Sequence, residues 1–154
     1  MVRVHPHLPE LPIRPSAWEW LVAYGVTVEV KDPASTSGGG YWYPNERRVE
    51  LFTAQVEAAI HELAHAWYEE RRRNDRWRND FLASVRRLAE ETDPRYRRAA
   101  RLAHIYEYGD STTGFPGMLD NDAERYAGLA SGVMGHINLL PPYVRRFYEA
   151  LFDH

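Results

Sequence analysis

Residues 53–72, TAQVEAAIHELAHAWYEERR, decide the fold of this chain. Apolar residues recur every three or four positions through this stretch, which is typical of an amphipathic helix. The sequence predicts that Thr53 caps this helix and that the helix ends near Arg72. The apolar stripe consists of Val56, Ala59, Ile60, Leu63, Ala64 and Trp67.

Inside this helix, positions 61–65 form the motif HExxH. On a helix, His61 and His65 lie one turn apart on the same face, so both imidazoles can reach a single metal ion. Glu62 projects beside them, where it can take a proton from a water that the metal activates. The sequence therefore predicts a zinc site in which Glu62 is the general base. The competing interpretation is a helix with two partly buried structural histidines.

A catalytic zinc needs three protein ligands and an open position for water. The chain has no Cys, so the third ligand must be a His or a carboxylate. The metzincin pattern would place a His six residues after His65, but that position is Arg71. The candidates that remain are His104, His136 and the acidic segment 120–127, DNDAERYA, which opens a later helix.

Within that segment, Glu124–Arg125–Tyr126–Ala127 follows the motif at a distance of 59 residues from His65. HExxH with a later E-x-x-A helix resembles the gluzincin metallopeptidases, and most of all the compact domains similar to anthrax lethal factor and the Pro-Pro endopeptidases. The resemblance covers residues 40–152 in the order of elements. It implies that His61, His65 and Glu124 bind Zn²⁺ and that the chain hydrolyses peptide bonds in a protein or peptide substrate.

A second alignment makes Asp120 the third ligand and lets Glu124 orient an imidazole, as in gluzincins with E-x-x-A-[DN]. Glu124 is preferred because the longer carboxylate reaches a metal from a second helix more easily. With Glu124 as ligand, the outer acid of that pattern would fall at Gly128, where the chain has none. The Tyr that helps to stabilise the oxyanion in lethal-factor-like domains would fall at Gly117.

The missing Tyr leaves the oxyanion donor unassigned. Four side chains that carry a hydrogen-bond donor are candidates for this role: Tyr106, Tyr108, Tyr126 and His136.

The length of 154 residues predicts a single domain, 1–154, with an extended Pro-rich arm over 1–15 and a helical insert over 73–108. The fold class is α+β: a sheet of three or so strands packed on the HExxH helix, and a mostly helical C-terminal two-thirds. Strands are predicted at 26–30, 41–43 and 48–52, and a peptide could add to the sheet edge at 41–43 or 48–52. Further helices are predicted over 17–24 with Ser16 as cap, from Asn74 to about 91, from 93–94 to before 109, from 120 or 121, and over 143–152.

The absence of Cys excludes disulfides, thiol catalysis and Cys-based metal sites. No apolar run reaches the length of a membrane span, and residues 1–15 carry Pro and His where a signal peptide would be apolar, so a cytoplasmic protein without a membrane partner is expected. The sequence fixes no oligomeric state.

Charge is distributed unevenly along the chain. Residues 71–101 contain 11 Arg and 5 acidic residues, a local charge of +6, while the whole chain carries −3. Such a segment could bind nucleic acid, although the solvated face of a helix is the more common explanation. The alternative to an enzyme is an inactive zincin-like binding or structural module, which the missing Tyr and the missing outer acid suggest and which the Arg-rich segment could associate with nucleic acid.

Overall fold

The computed structural model describes residues 7–117 and 121–153. Their fold is α+β, as predicted: a three-stranded sheet and six α-helices. The helices are α1 (Pro15–Tyr24), α2 (Val56–Arg71), α3 (Asp75–Ala89), α4 (Arg97–Tyr108), α5 (Asp122–Gly132) and α6 (Pro142–Arg145). The strands are β1 (Thr27–Val30), β2 (Gly40–Tyr43) and β3 (Arg48–Leu51).

The sheet has the order β1-β3-β2, in which β1 runs parallel and β2 antiparallel to β3. Trp42 and Val49 are register partners and are both buried, and Leu51 is buried on the same strand as Val49. Helix α2 packs against β2 and β3, and α5 packs against α2. Because β3 has a partner on each side, the predicted edge at 48–52 is wrong; β2 is an edge strand of the described sheet.

Helix α2 holds the centre of the molecule because its apolar stripe is buried. Residues Ala59, Ile60, Leu63 and Ala64 have no exposed surface. The predicted cap is wrong, since the helix begins after Gln55. Thr53 is buried two residues earlier, where its hydroxyl donates to Ser35 O at 2.7 Å and joins the glycine-rich loop to the helix entry.

Other helix ends follow the sequence signals more closely. The side chain of Asn74 accepts a hydrogen bond from Trp77 N, and that of Asn121 accepts one from Glu124 N, so both are N-caps. Gly25 ends α1 in the left-handed conformation that its lack of Cβ permits. Ser16 is not a cap, because α1 already begins at Pro15.

The C-terminal segment differs from the prediction of one helix over 143–152. Helix α6 ends at Arg145, and turns continue the chain to Leu151. The carbonyl groups of this segment bond to the N-terminal arm: Leu151 O accepts from Arg14 N, and Glu149 O and Phe152 O accept from the Arg14 guanidinium. Tertiary hydrogen bonds here replace the helical ones.

The described part of the N-terminal arm is not a free extension. Its apolar side chains Leu8, Leu11 and Ile13 are buried in the core, and Ile13 pairs with Phe152 in an isolated β-bridge. His5 lies outside the described residues. No helix of the described ranges is long and apolar enough to cross a membrane.

Candidate metal centre

The side chains of His61, His65 and Glu124 converge between α2 and α5. Each offers one ligand atom, and these atoms all lie within 4.8 Å of one another; no other such group of three occurs in residues 7–117 and 121–153. His65 Nε2 lies 2.6 Å from Glu124 Oε1, and His61 Nε2 lies 3.3 Å from Glu124 Oε2. The spacing of the two histidines on α2 and the Asn121 cap of α5 bring the three side chains together.

This donor set fits a metal ion. Donors at tetrahedral angles, about 2.1 Å from one ion, stand about 3.4 Å apart, close to the His61–Glu124 separation. Two imidazole nitrogens and one carboxylate suit zinc and leave a further position open. Asp120, the other predicted ligand, lies outside the described residues. His104 and His136 are exposed and are not in the group.

A hydrogen bond to Ser131 orients His61. Its Nδ1 lies 3.1 Å from Ser131 Oγ, and that hydroxyl also contacts Gly128 O at 3.3 Å. A serine that donates to the carbonyl can accept from Nδ1–H, which leaves Nε2 unprotonated for a metal. The resemblance places the outer partner of an imidazole at position 128, where the chain has Gly. In the structure, Ser131 contacts the His61 imidazole instead. The sequence contains a signal for this role, because Ser131 follows Glu124 by seven residues and therefore lies on the same face of the helix.

The charges of the three side chains depend on one another. Hydrogen bonds from His61 and His65 hold the pKa of Glu124 well below its usual range, against the effect of its burial. Burial is the strongest effect on His61 and lowers its pKa, but the hydrogen bond to Glu124 and the neighbouring carboxylates together raise it. One carboxylate and two imidazoles are thus placed within interaction distance of one another.

Glu62 lies beside the group with only 6% of its surface exposed. Burial raises the pKa of its carboxyl, and His61 and His65 oppose that rise. Within the described ranges no hydrogen bond to this carboxylate is present. Gly40 of the edge strand packs directly on Glu62: a side chain at position 40 would place its Cβ 2.8 Å from Glu62 Cγ and 2.7 Å from Glu50 O.

The group opens onto a cleft with two halves, which share His61, Glu62 and Gly40. One half, of about 370 Å³, also has as walls Gly38, Gly39, Gln55, Glu57, Ala58 and Ser131. The other, of about 440 Å³, also has as walls Tyr41, Trp42, Pro44, His65, Glu69, Arg72, Asn121, Ala123 and Glu124. A chain laid along the cleft would pass the three converging side chains at its middle.

The second acid of α5, Asp122, has a different role. Its carboxylate accepts hydrogen bonds of 2.7 Å from Tyr68 Oη and from the Arg72 guanidinium. Tyr68 is fully buried and Arg72 borders the cleft. Asp122 therefore fixes α5 to α2, while Glu124 faces the histidines.

The four candidate oxyanion donors fall in different places. Tyr126 is buried and donates to Phe147 O, Tyr108 is exposed and donates to Glu90, and His136 is exposed beyond the end of α5. Tyr106 lies over Gly128, where a Cβ would stand 2.3 Å from its hydroxyl oxygen. Burial, followed by the charges of Glu124 and Glu57, raises the pKa of Tyr106. Tyr106 is therefore the candidate beside the metal centre.

Comparison with protein-family models, with curated proteins and with solved structures finds no match to this chain.

Proposed function

We propose that the chain is a zinc-dependent metallopeptidase with a zincin-like arrangement of its site. The observation that carries this proposal is the meeting of His61, His65 and Glu124 in an open cleft, with the Glu62 carboxylate free beside them. Structural metal sites are closed by four protein ligands, whereas a site with three ligands in a cleft suits catalysis.

His61, His65 and Glu124 would hold the ion. When bound, zinc supplies Lewis acidity, which polarises the scissile carbonyl and makes water a better nucleophile at neutral pH. Nothing in the donor set excludes another divalent ion; zinc is proposed because two imidazoles and one carboxylate without a thiol are a common catalytic zinc set.

Glu62 is the proposed general base. It takes a proton from the attacking water, and in the next step it transfers that proton to the amine that leaves. The surroundings of Glu62 suit this task, because no hydrogen-bond partner in the described ranges competes for the carboxylate and its burial excludes bulk water. Gly40 keeps the carboxylate close to the edge strand.

Tyr106 is the proposed donor to the oxyanion that forms at the scissile carbonyl. Its two glycine neighbours are the positions at which the resemblance expects a Tyr and an acid. Gly117 lies against the Tyr106 backbone, where a Cβ would stand 3.0 Å from Tyr106 O, and Gly128 leaves room for the ring. The phenol thus extends from α4 over Gly128 of α5, near enough to Glu124 for that carboxylate to act on its pKa, and the raised pKa keeps it protonated and able to donate.

The edge strand β2 is the proposed support for the substrate. One side of β2 pairs with β3, and Gly40, Tyr41 and Trp42 of this strand form part of the cleft wall. An extended peptide could add to this strand through main-chain hydrogen bonds. Its scissile bond would then lie near Glu62, which contacts Gly40.

The decisive experiment combines metal analysis with turnover. The chain is purified from medium that contains several divalent metals, and bound metal is measured by mass spectrometry for the wild type and Glu62→Gln. We expect one zinc per chain in both, and cleavage of a mixed peptide library by the wild type alone. Glu19→Gln, an exposed Glu on α1, is the matched control and keeps full activity.

Three results would contradict the proposal. Equal cleavage by Glu62→Gln would remove Glu62 from the mechanism. A wild type that holds zinc but cleaves no peptide would favour the inactive binding module, and a wild type without metal would overturn the metal centre itself.

A further inference from the structure

A row of four side chains runs along the cleft face of α2. Glu57, His61, His65 and Glu69 follow one another at intervals of four residues, so each stands about one turn from the next. Glu57 borders the first half of the cleft and Glu69 the second, with the two histidines between them. A carboxylate therefore flanks the metal centre on each side.

Neither flanking carboxylate has a cationic partner among the described side chains. Within residues 7–117 and 121–153, no salt bridge or hydrogen bond involves the side chain of Glu57 or of Glu69, and Arg72 is the single Arg of the cleft walls. That guanidinium is already bonded to Asp122 at 2.7 Å. The cleft thus keeps two acidic side chains uncompensated, although 18 Arg are present in the chain.

The spacing of the row matches the length of a short peptide. Twelve residues of α-helix separate Glu57 from Glu69, a rise of about 18 Å. An extended peptide rises about 3.4 Å per residue, so about five residues span this distance. A peptide along the cleft with its scissile bond at the histidines would place side chains two or three residues away on each side next to Glu57 and Glu69.

Each half of the cleft has room for a long cationic side chain. In the half that Glu57 borders, the wall includes Gly38, Gly39 and Gly40, and a Cβ at Gly39 would contact nothing within 4 Å. In the other half, Tyr41 is 58% exposed and offers an aromatic face. Such a face can contact the aliphatic stem or the charge of Lys or Arg.

We propose that the cleft selects peptides that carry a basic residue on each side of the scissile bond, and that Glu57 and Glu69 are the two specificity-determining residues. This inference rests on the proposed peptidase function. It does not depend on the direction of the bound peptide, because the row has a carboxylate at both ends.

The first test maps the bonds that the wild-type protein cleaves in a peptide library with equal amounts of all residues. We expect Lys and Arg to be enriched within three residues of the bond on both sides, and Asp and Glu to be depleted there. Cleavage without this enrichment would overturn the inference and leave the peptidase intact. No cleavage at all would overturn the proposed function, and the inference with it.

The second test compares Glu57→Gln, Glu69→Gln and the control Glu19→Gln on matched peptides that carry Lys or norleucine at the flanking positions. We expect each cleft variant to lower kcat/KM about tenfold more for the peptide with Lys on its side than for the norleucine peptide. An equal fall for both peptides, or no fall, would contradict the assignment.

A binding measurement keeps the inference testable without turnover. In a Glu62→Gln background, fluorescence anisotropy gives the Kd of the same peptides. We expect the Lys peptide to bind at least tenfold more tightly than a Glu peptide at low salt, and this difference to shrink as salt screens the charges. Equal affinities would overturn the inference.

Discussion

The charged side chains of the cleft and those of the Arg-rich segment 71–101 differ in whether they have partners within the protein. In the Arg-rich segment, Arg95 pairs with Asp93, Arg98 donates to Gly132 O, and Arg87 lies over the Tyr143 ring. Arg71 stacks on Trp20 and Trp67, and Arg72, Arg73 and Arg78 have acidic partners. In the cleft, Glu57, Glu62 and Glu69 have no such partner in the part of the chain that the structure describes. The positive charges of the Arg-rich segment therefore interact with nearby groups of the protein, whereas the negative charges of the cleft remain able to bind a ligand.

This difference bears on whether the partner of the protein is a peptide or a nucleic acid. The Arg-rich segment suggested nucleic acid from the sequence, but seven of its 11 guanidinium groups already contact an acidic side chain, a main-chain carbonyl or an aromatic ring of the protein. The charges without a partner among the described residues lie beside the candidate metal centre, where a substrate would meet them. We therefore propose a peptide substrate before a nucleic acid.

The largest expected effect concerns Glu124. Glu124→Gln should weaken zinc binding by at least about 100-fold, since even outer partners of metal ligands contribute about 10–100-fold. Asp120→Asn is the matched control and should keep wild-type affinity, measured by competition with a chromophoric chelator. The opposite ranking of the two variants would make Asp120 the ligand.

Next in size is the loss of the Tyr106 hydroxyl. Tyr106→Phe should lower kcat about 100-fold with little change in KM, because the donor acts on charge that develops in the transition state. Tyr108→Phe removes an exposed hydroxyl from the same helix and should have no such effect. A change in KM alone would place Tyr106 in substrate binding.

A smaller effect is expected at Ser131. Ser131→Ala removes the partner of His61 Nδ1 and should weaken zinc binding about tenfold. Ser131→Thr retains the hydroxyl and should restore most of the affinity. If the Ala variant binds zinc as the wild type does, the hydrogen bond has no part in orienting the imidazole.

The smallest effects belong to the Arg-rich segment. Arg95→Gln removes an exposed pair with Asp93, and such pairs add little to stability. We expect unchanged kcat/KM and an unchanged midpoint of thermal unfolding. Retention of the wild type on immobilised DNA at physiological salt, lost in this variant, would revive the nucleic-acid alternative.

The sequence was sufficient where the decisive interactions are local. The helix periodicity predicted α2, the Asn caps predicted the starts of α3 and α5, and the strand patterns predicted the sheet. It was insufficient where distant residues decide. The turns after α6 depend on hydrogen bonds to Arg14 over 130 residues away, and no local pattern contains them. The same reason explains why Tyr106 could not be chosen from four candidates.

The same limit applies to the candidate metal centre, where some residues can be predicted from local spacing and others only from tertiary contacts. His61, Glu62 and His65 share one helix, so their spacing alone predicts that they meet. Glu124 lies two residues from Asp122, and both are acids in the first turn of α5. Only their tertiary neighbours, Tyr68 and Arg72 on one side and the histidines on the other, distinguish them.

Because Gly40 packs directly on Glu62, the position of the edge strand β2 and that of the Glu62 side chain depend on each other. No atom can be inserted between them, so the strand cannot move towards α2 without moving the carboxylate. A peptide that paired with β2 would restrain the strand and, through this contact, the Glu62 side chain as well. Substrate binding would therefore order the group that acts on the substrate, and even a single methyl group at position 40 would break this transmission.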